Sequence, residues 1–236
     1  MTVLNTLVHS GNAFLPAAAV ADALVRLGKP VRLAPAEVRR VAPGAPISGP
    51  AVPVHHAGSV DVFLEALETA AAGSVLVIDN EARPDEACIG DLIVAETRLA
   101  GLLGIVVWGL HRDTAQVREI GLPVWSLGAV PAGPRGVRPP APGGTPVRVG
   151  EAVVTTADIV VADDDGVLFV AAADWPEVTR IATKIVEVEG AQAQGIAAGL
   201  ALRDQLRFRD YLLRRANDPA YTLREHLRAL GAAIET

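Results

Sequence analysis

The feature that most limits the fold of this chain is an alternation. Two short, almost wholly apolar runs, "SVLVID" at 74–79 and "GIVVWG" at 104–109, are set among longer stretches in which apolar residues recur at helical spacing. A brief β-branched run bounded by turn formers is a buried strand, whereas apolar positions three and four apart mark one face of a helix. Between the two runs, Ile89, Leu92, Ile93, Leu99, Ala100 and Leu103 fall close to one such face. Ahead of them, "FLPAAAVADALVRLG" at 14–28 predicts an amphipathic helix stopped by Gly28. "ISGPAVPVHHAG" at 47–58 predicts a strand, and "VDVFLEALETAAAG" at 60–73 a helix closed by Gly73. "DTAQVREIG" at 113–121 and "LPVWSLG" at 122–128 add a short helix and a strand, the order expected of an α/β or α+β chain.

The second half reads differently. Residues 129–150 are so rich in Pro and Gly that irregular extended backbone is expected there, and Asp165-Gly166 marks a hairpin within the strand-rich stretch 151–170. Beyond Ala171 come long charged helical stretches, 174–206 and 221–235, with little sign of a core of their own. Such a tail is expected to pack on a neighbour.

Composition excludes several functions. Half of the 236 residues are apolar, enough for a sizeable core, and a net charge of −6 argues against binding the phosphate backbone of nucleic acid. The single cysteine, Cys88, permits neither an intrachain disulfide nor a multi-thiolate metal site and reads as buried filler. No apolar run approaches the roughly 18 residues of a membrane span, and the N-terminus lacks a secretory pattern, so a cytoplasmic location is expected. No phosphate-binding glycine loop occurs. The tripeptide His111-Arg112-Asp113 matches the start of a kinase catalytic loop, but the rest of that signature is missing.

Two places carry candidate chemistry, and each has a plain structural reading beside the functional one. Asp113 with Gln116 resembles a capping box for the helix beginning at Thr114. Gly90-Asp91-Leu92-Ile93 reads as a helix start with Asp91 complementing the dipole, yet the same N-terminus is a receptor for a small anion. The consecutive Asp163, Asp164 and Asp165 point in alternating directions and read as a polar turn. The five histidines have no ligand spacing, and adjacent His55 and His56 should face opposite sides of a strand.

Asp91 followed, after twenty residues, by Arg112-Asp113 is similar to the signature of the RraA-like family. "GPAVPV", "GLLGIVVWGLHRD", "IGLPVWSLGAVPAGP" and "ADIVVADDDGVLFV" also follow that family's order. The chain most resembles the branch of divalent-metal aldolases acting on 4-hydroxy-4-methyl-2-oxoglutarate and 4-carboxy-4-hydroxy-2-oxoadipate.

The resemblance implies a β/β/α layered, swivelling-domain α/β fold over residues 1–170. It implies a helical extension over 171–236 that packs on the neighbouring subunit of a homotrimer, or of a hexamer of two trimers. It implies a lyase that cleaves a 4-hydroxy-2-oxo acid to pyruvate and a second keto acid, with oxaloacetate decarboxylation as a side activity. The alternative it implies is a protein-binding regulator of ribonuclease activity. Gly90, Asp91, Leu92 and Ile93 would hold the pyruvyl carboxylate, largely through backbone amides. Arg112 would contact the keto oxygen, and Asp113 would bind Mg²⁺ or Mn²⁺ whose other positions are mostly water. Glu189 of a neighbour, with Glu187 as competitor, would approach that water shell.

The chemistry explains the grouping. Cleavage beside a keto group leaves an enolate, so positive charge must meet the oxygen that becomes anionic. Water held by Asp91 and the neighbouring glutamate is the candidate base for the departing hydroxyl.

Overall fold

The computed structural model describes residues 14–139 and 141–231. The N-terminal pattern read for secretion and the last residues of the predicted 221–235 helix lie outside them. The elements run α1 (Ala17–Arg26), β1 (Arg32–Leu33), β2 (Arg39–Arg40), β3 (Ile47–His55), α2 (Asp61–Thr69) and β4 (Val75–Asp79). Next come β5 (Ala87–Ile89), α3 (Asp91–Leu99), β6 (Gly104–Trp108), β7 (Leu110–His111), α4 (Thr114–Ile120) and β8 (Val124–Ser126). The order ends with β9 (Val147–Val149), β10 (Ala152–Val154), β11 (Asp158–Ala162), β12 (Val167–Ala171), α5 (Trp175–Ala197), α6 (Leu202–Gln205), α7 (Phe208–Asn217) and α8 (Leu223–Leu230).

Eight strands form one sheet in the order β1-β12-β11-β3-β4-β6-β8-β2. Its centre is parallel, β3 to β4 to β6 to β8, and antiparallel strands extend both edges. Side-chain alternation builds the layers. In β4, Leu76 and Ile78 face one way into a core with Phe63 of α2 and Val94 of α3. Val75 and Val77 face the other way, toward Val147 and Val149 of the β9–β10 ribbon. Helices, main sheet and ribbon therefore stack as the expected β/β/α sandwich. Both faces of β4 and β6 are covered, which is why their sequences are continuous apolar runs instead of alternating ones. Each fully buried Leu or Ile among them contributes roughly 1.5–3 kcal/mol.

Beyond β12, the first half of α5 buries Val178, Ala182 and Ile185 of its own chain against Val20 and Leu24 of α1 and Leu168 of β12. The predicted helix 174–206 is broken after Ala197. Gly199 takes a left-handed conformation, and the Gln205 side chain folds back to donate to the carbonyls of Gln192 and Leu200. Gly195 makes room for it, since a Cβ there would meet the Gln205 amide at 2.7 Å. Helix α7 was not anticipated. It joins α8 in a small cluster in which Tyr211, Tyr221, His226 and Leu227 are buried.

Two other local readings change. Ile89 lies in β5 rather than in the following helix, because residues 87–89 pair with 110–111. The end of the Pro/Gly-rich stretch forms β9, paired with β10. The Asp163–Asp165 segment is the expected turn: Asp163 accepts from the Asp165 and Ala17 N–H groups, and Asp164 pairs with Arg40. The two adjacent imidazoles do diverge, His55 toward the Pro146 carbonyl and His56 onto the Phe63 ring. Among the described residues, no helix is long and apolar enough to cross a membrane.

Candidate functional site

The site begins where β4 and β6 end. Past their carboxyl ends the chain makes a second, two-stranded parallel ribbon, β5 with β7, in which Ala87 pairs with Leu110 and Ile89 with His111. The Arg112 N–H donates to the Ile89 carbonyl at 3.0 Å, so the residues just after the two strands, Gly90 on one side and Arg112-Asp113 on the other, emerge side by side. Twenty residues of separation in sequence close to contact through this ribbon.

Gly90 is extended, with φ −135°, so its lack of a side chain answers to space rather than to backbone angle. A Cβ there would overlap Asp113 Oδ2 and come within 3.3 Å of Arg112 Cγ and Nε. Gly133 gives similar clearance on the far side, where a Cβ would meet Arg112 Nη1 at 2.9 Å. The guanidinium thus lies between two glycines, with Nε 3.4 Å from Asp113 Oδ2.

Asp113 precedes α4, as the capping reading requires, but no capping bond forms from its side chain. Its backbone is left-handed, φ 57° and ψ 41°, a conformation that costs an L-residue roughly 1–2 kcal/mol. The turn swings the carboxylate away from the helix and toward Gly90 and Arg112. The capping box with Gln116 is therefore corrected: Asp113 occupies the cap position and its carboxylate is left for other partners.

His111, to which the sequence assigned nothing, holds this turn. Its buried ring bonds Ser126 Oγ through Nδ1 at 2.7 Å and Thr114 Oγ1 through Nε2 at 2.9 Å. Its backbone bonds Gly128 and Val130. Burial depresses its pKa and the nearby Arg118 charge adds to that, partly offset by a bond donated to the Gly128 backbone. No local signal revealed this role, because Ser126 is distant in sequence. Cys88 is buried with its thiol pKa pushed up by desolvation, the filler that was expected.

Gly90 is the N-cap of α3 and offers no side-chain cap. Asp91 Oδ1 accepts from the Leu92 N–H at 2.8 Å, so one of the amides expected to receive a substrate carboxylate is bonded to Asp91. Ile93 is buried in the core, while Leu92 is 79% exposed.

Two hollows meet at Arg112. The larger, about 520 Å³, lies over the start of α3 and is bordered by Gly90, Asp91 and Leu92. The smaller, about 290 Å³, is bordered by Asp113, Thr114 and Pro131. Asp91 and Asp113 thus flank the arginine from different sides. Glu187 and Glu189 are exposed on α5 and border neither hollow.

No cluster of three or more metal-binding side chains occurs among the described residues. The donor set at the smaller hollow is one half-exposed carboxylate, Asp113. That fits magnesium, which keeps most of its waters, and does not fit an ion needing a dry protein cage.

Residues 17–169 match the family model described as RraA-like, Aldolase/RraA. The fold is also that of an uncharacterized protein from Pseudomonas syringae pv. tomato, with a TM-score of 0.72 at 24% identity over 80% of this chain and 91% of that one. Streptomyces coelicolor RraAS2, described as an unusual member of the RNase ES inhibitor RraA protein family, aligns with a TM-score of 0.66. The two are 29% identical over 75% of this chain and 90% of that one.

Proposed function

The chain belongs to the RraA-like family, and from that premise we propose that it is a divalent-metal-dependent lyase. It would cleave a 4-hydroxy-2-oxo acid to pyruvate and a second carbonyl compound, and would decarboxylate oxaloacetate through the same enolate. The observation that carries this reading is the contact of the Gly90 backbone with Arg112 and an uncapped Asp113.

Each residue then has a task. The N-terminus of α3 at Gly90–Ile93 and the Arg112 guanidinium bind the carboxylate and orient the keto oxygen, and fixed donors of this kind stabilise charge as it develops. Asp113 would hold the metal, which supplies Lewis-acid stabilisation of the developing enolate when bound. Asp91, which accepts from the Leu92 N–H and would be released as the substrate carboxylate takes its place, would draw off the hydroxyl proton through a water. Glu189, or Glu187, would assist from a neighbouring subunit of a trimer or hexamer, since neither borders its own subunit's hollows.

The test is pyruvate release from 4-hydroxy-4-methyl-2-oxoglutarate and from oxaloacetate, with magnesium and with EDTA. Turnover should appear with the metal, vanish with the chelator and be lost in Asp113→Asn, a change that keeps the left-handed turn accessible. Metal-independent turnover, or an unaffected variant, sinks the assignment.

A second reading is a non-catalytic regulator that grips a ribonuclease, favoured by the 29% identity to RraAS2. It predicts no pyruvate under any of these conditions and direct binding to a ribonuclease of the E type.

A further inference from the structure

The larger hollow is poor in positive charge. Among the described residues that border it, Arg112 is the one cation, and it shares the space with the carboxylates of Asp91 and Glu96. Asp113 offsets it further from the other side, at 3.4 Å. The nearby cations are committed elsewhere: Arg138 to Glu81, and Arg83 to Asp85 and Glu86. Arg135 follows Pro134 in the chain, but it is exposed, lies beside Asp85 and does not border the hollow.

Away from Arg112, Asp91 and Glu96 the wall is largely hydrocarbon. Val60 and Leu64 come from the start of α2, and Leu92 and Leu99 from α3, with Leu64 47% and Leu99 81% exposed. At about 520 Å³ the space exceeds what a pyruvyl group alone occupies, and it lies within the roughly 300–1,000 Å³ typical of small-molecule sites. The helix terminus and Arg112 can meet one carboxylate. A second, carried on the departing half, would share the hollow with Asp91 and Glu96 and find no second cation on its wall, an unfavourable placement.

Building on the lyase reading above, we propose that the half leaving with pyruvate is neutral and apolar. The substrate is a 4-hydroxy-2-oxo acid with a single carboxylate and an alkyl or aryl group at C4, and the second product is an aldehyde or ketone in place of a keto acid. The reaction balances without a further reagent. The C4 hydroxyl gives up its proton, the C3–C4 bond breaks with its electron pair passing into the enolate, C4 becomes the carbonyl, and a proton added at C3 completes pyruvate.

A matched pair of substrates tests this with the full-length chain and saturating magnesium: 4-hydroxy-2-oxopentanoate, with methyl at C4, and 4-hydroxy-2-oxoglutarate, with carboxylate in the same place. The methyl compound should have the higher kcat/KM by about tenfold or more, the discrimination expected when a carboxylate must sit beside like charges with no cation to pair with it. Leu64→Arg, at a half-exposed position on the wall, should move the ratio toward the dicarboxylate by about tenfold, the gain from supplying its missing cation. If the dicarboxylate equals or exceeds the methyl compound in the parent protein, the inference is overturned while the lyase reading stands. If neither compound nor oxaloacetate yields pyruvate, the lyase reading fails and this inference fails with it.

Discussion

At the scale of single residues, the site depends on what is missing from Gly90 and on what Asp113 tolerates. The glycine admits the Asp113 carboxylate to a space a methyl group would fill. Gly90→Ala should therefore leave the fold intact, since the backbone there is extended, yet lower kcat/KM for pyruvate release by about 10²-fold, the cost of moving a reacting group by roughly 1 Å. Unchanged kinetics with an unchanged metal requirement would show that the close approach has no function. Arg112→Lys should lose activity by at least about tenfold, because an ammonium between Gly90 and Gly133 has no planar fork to span them. Parental kcat in that variant would remove the guanidinium from the mechanism.

At the scale of elements, the β5–β7 ribbon is what turns two remote sequence segments into one site, and two buried histidines stand beside it. His56 is stacked on Phe63 and bonded to Asn80, and His111 is clamped between Ser126 and Thr114. Burial lowers the pKa of both below the ordinary value of 6.5. The unfolded chain therefore takes up their protons before the folded chain does, so stability is full above about pH 6.5, falls as the pH drops, and is fully lost from these groups once the folded pKa values are passed. Urea midpoints measured from pH 8 down to 5 should decline, with a shallower decline in His56→Gln. The same slope in that variant would assign the acid sensitivity to other groups.

At the scale of the whole molecule, the two halves of α5 differ in burial. Its first half is core through Val178, Ala182 and Ile185, whereas Glu187 and Glu189 beyond it are exposed and border neither hollow. If one of them completes a neighbour's site, subunits carrying Asp113→Asn and subunits carrying Glu189→Gln, each inactive alone, should regain activity when dissociated and reassembled together. In a closed ring about a quarter of the sites would then combine two intact parts. No recovery from that mixture, with a parallel Glu187→Gln mixture as control, would mean that each site is complete within one subunit.

Local pattern by itself determined the helices α1 to α4, the buried strands β4 and β6 and the turn at Asp163–Asp165, because periodicity and turn chemistry act between near neighbours in the chain. Local pattern at Asp113 favoured a helix cap, whereas the resemblance carried by Asp91 and Arg112-Asp113 pointed to a metal ligand there. Only the tertiary structure removed the side-chain cap, through a left-handed turn held by His111 against Ser126, and only it put Gly90 in contact with both members of the pair. Those are contacts between segments far apart in sequence, whose energies depend on how the strands pair and on what a missing side chain leaves vacant, and no local periodicity encodes either.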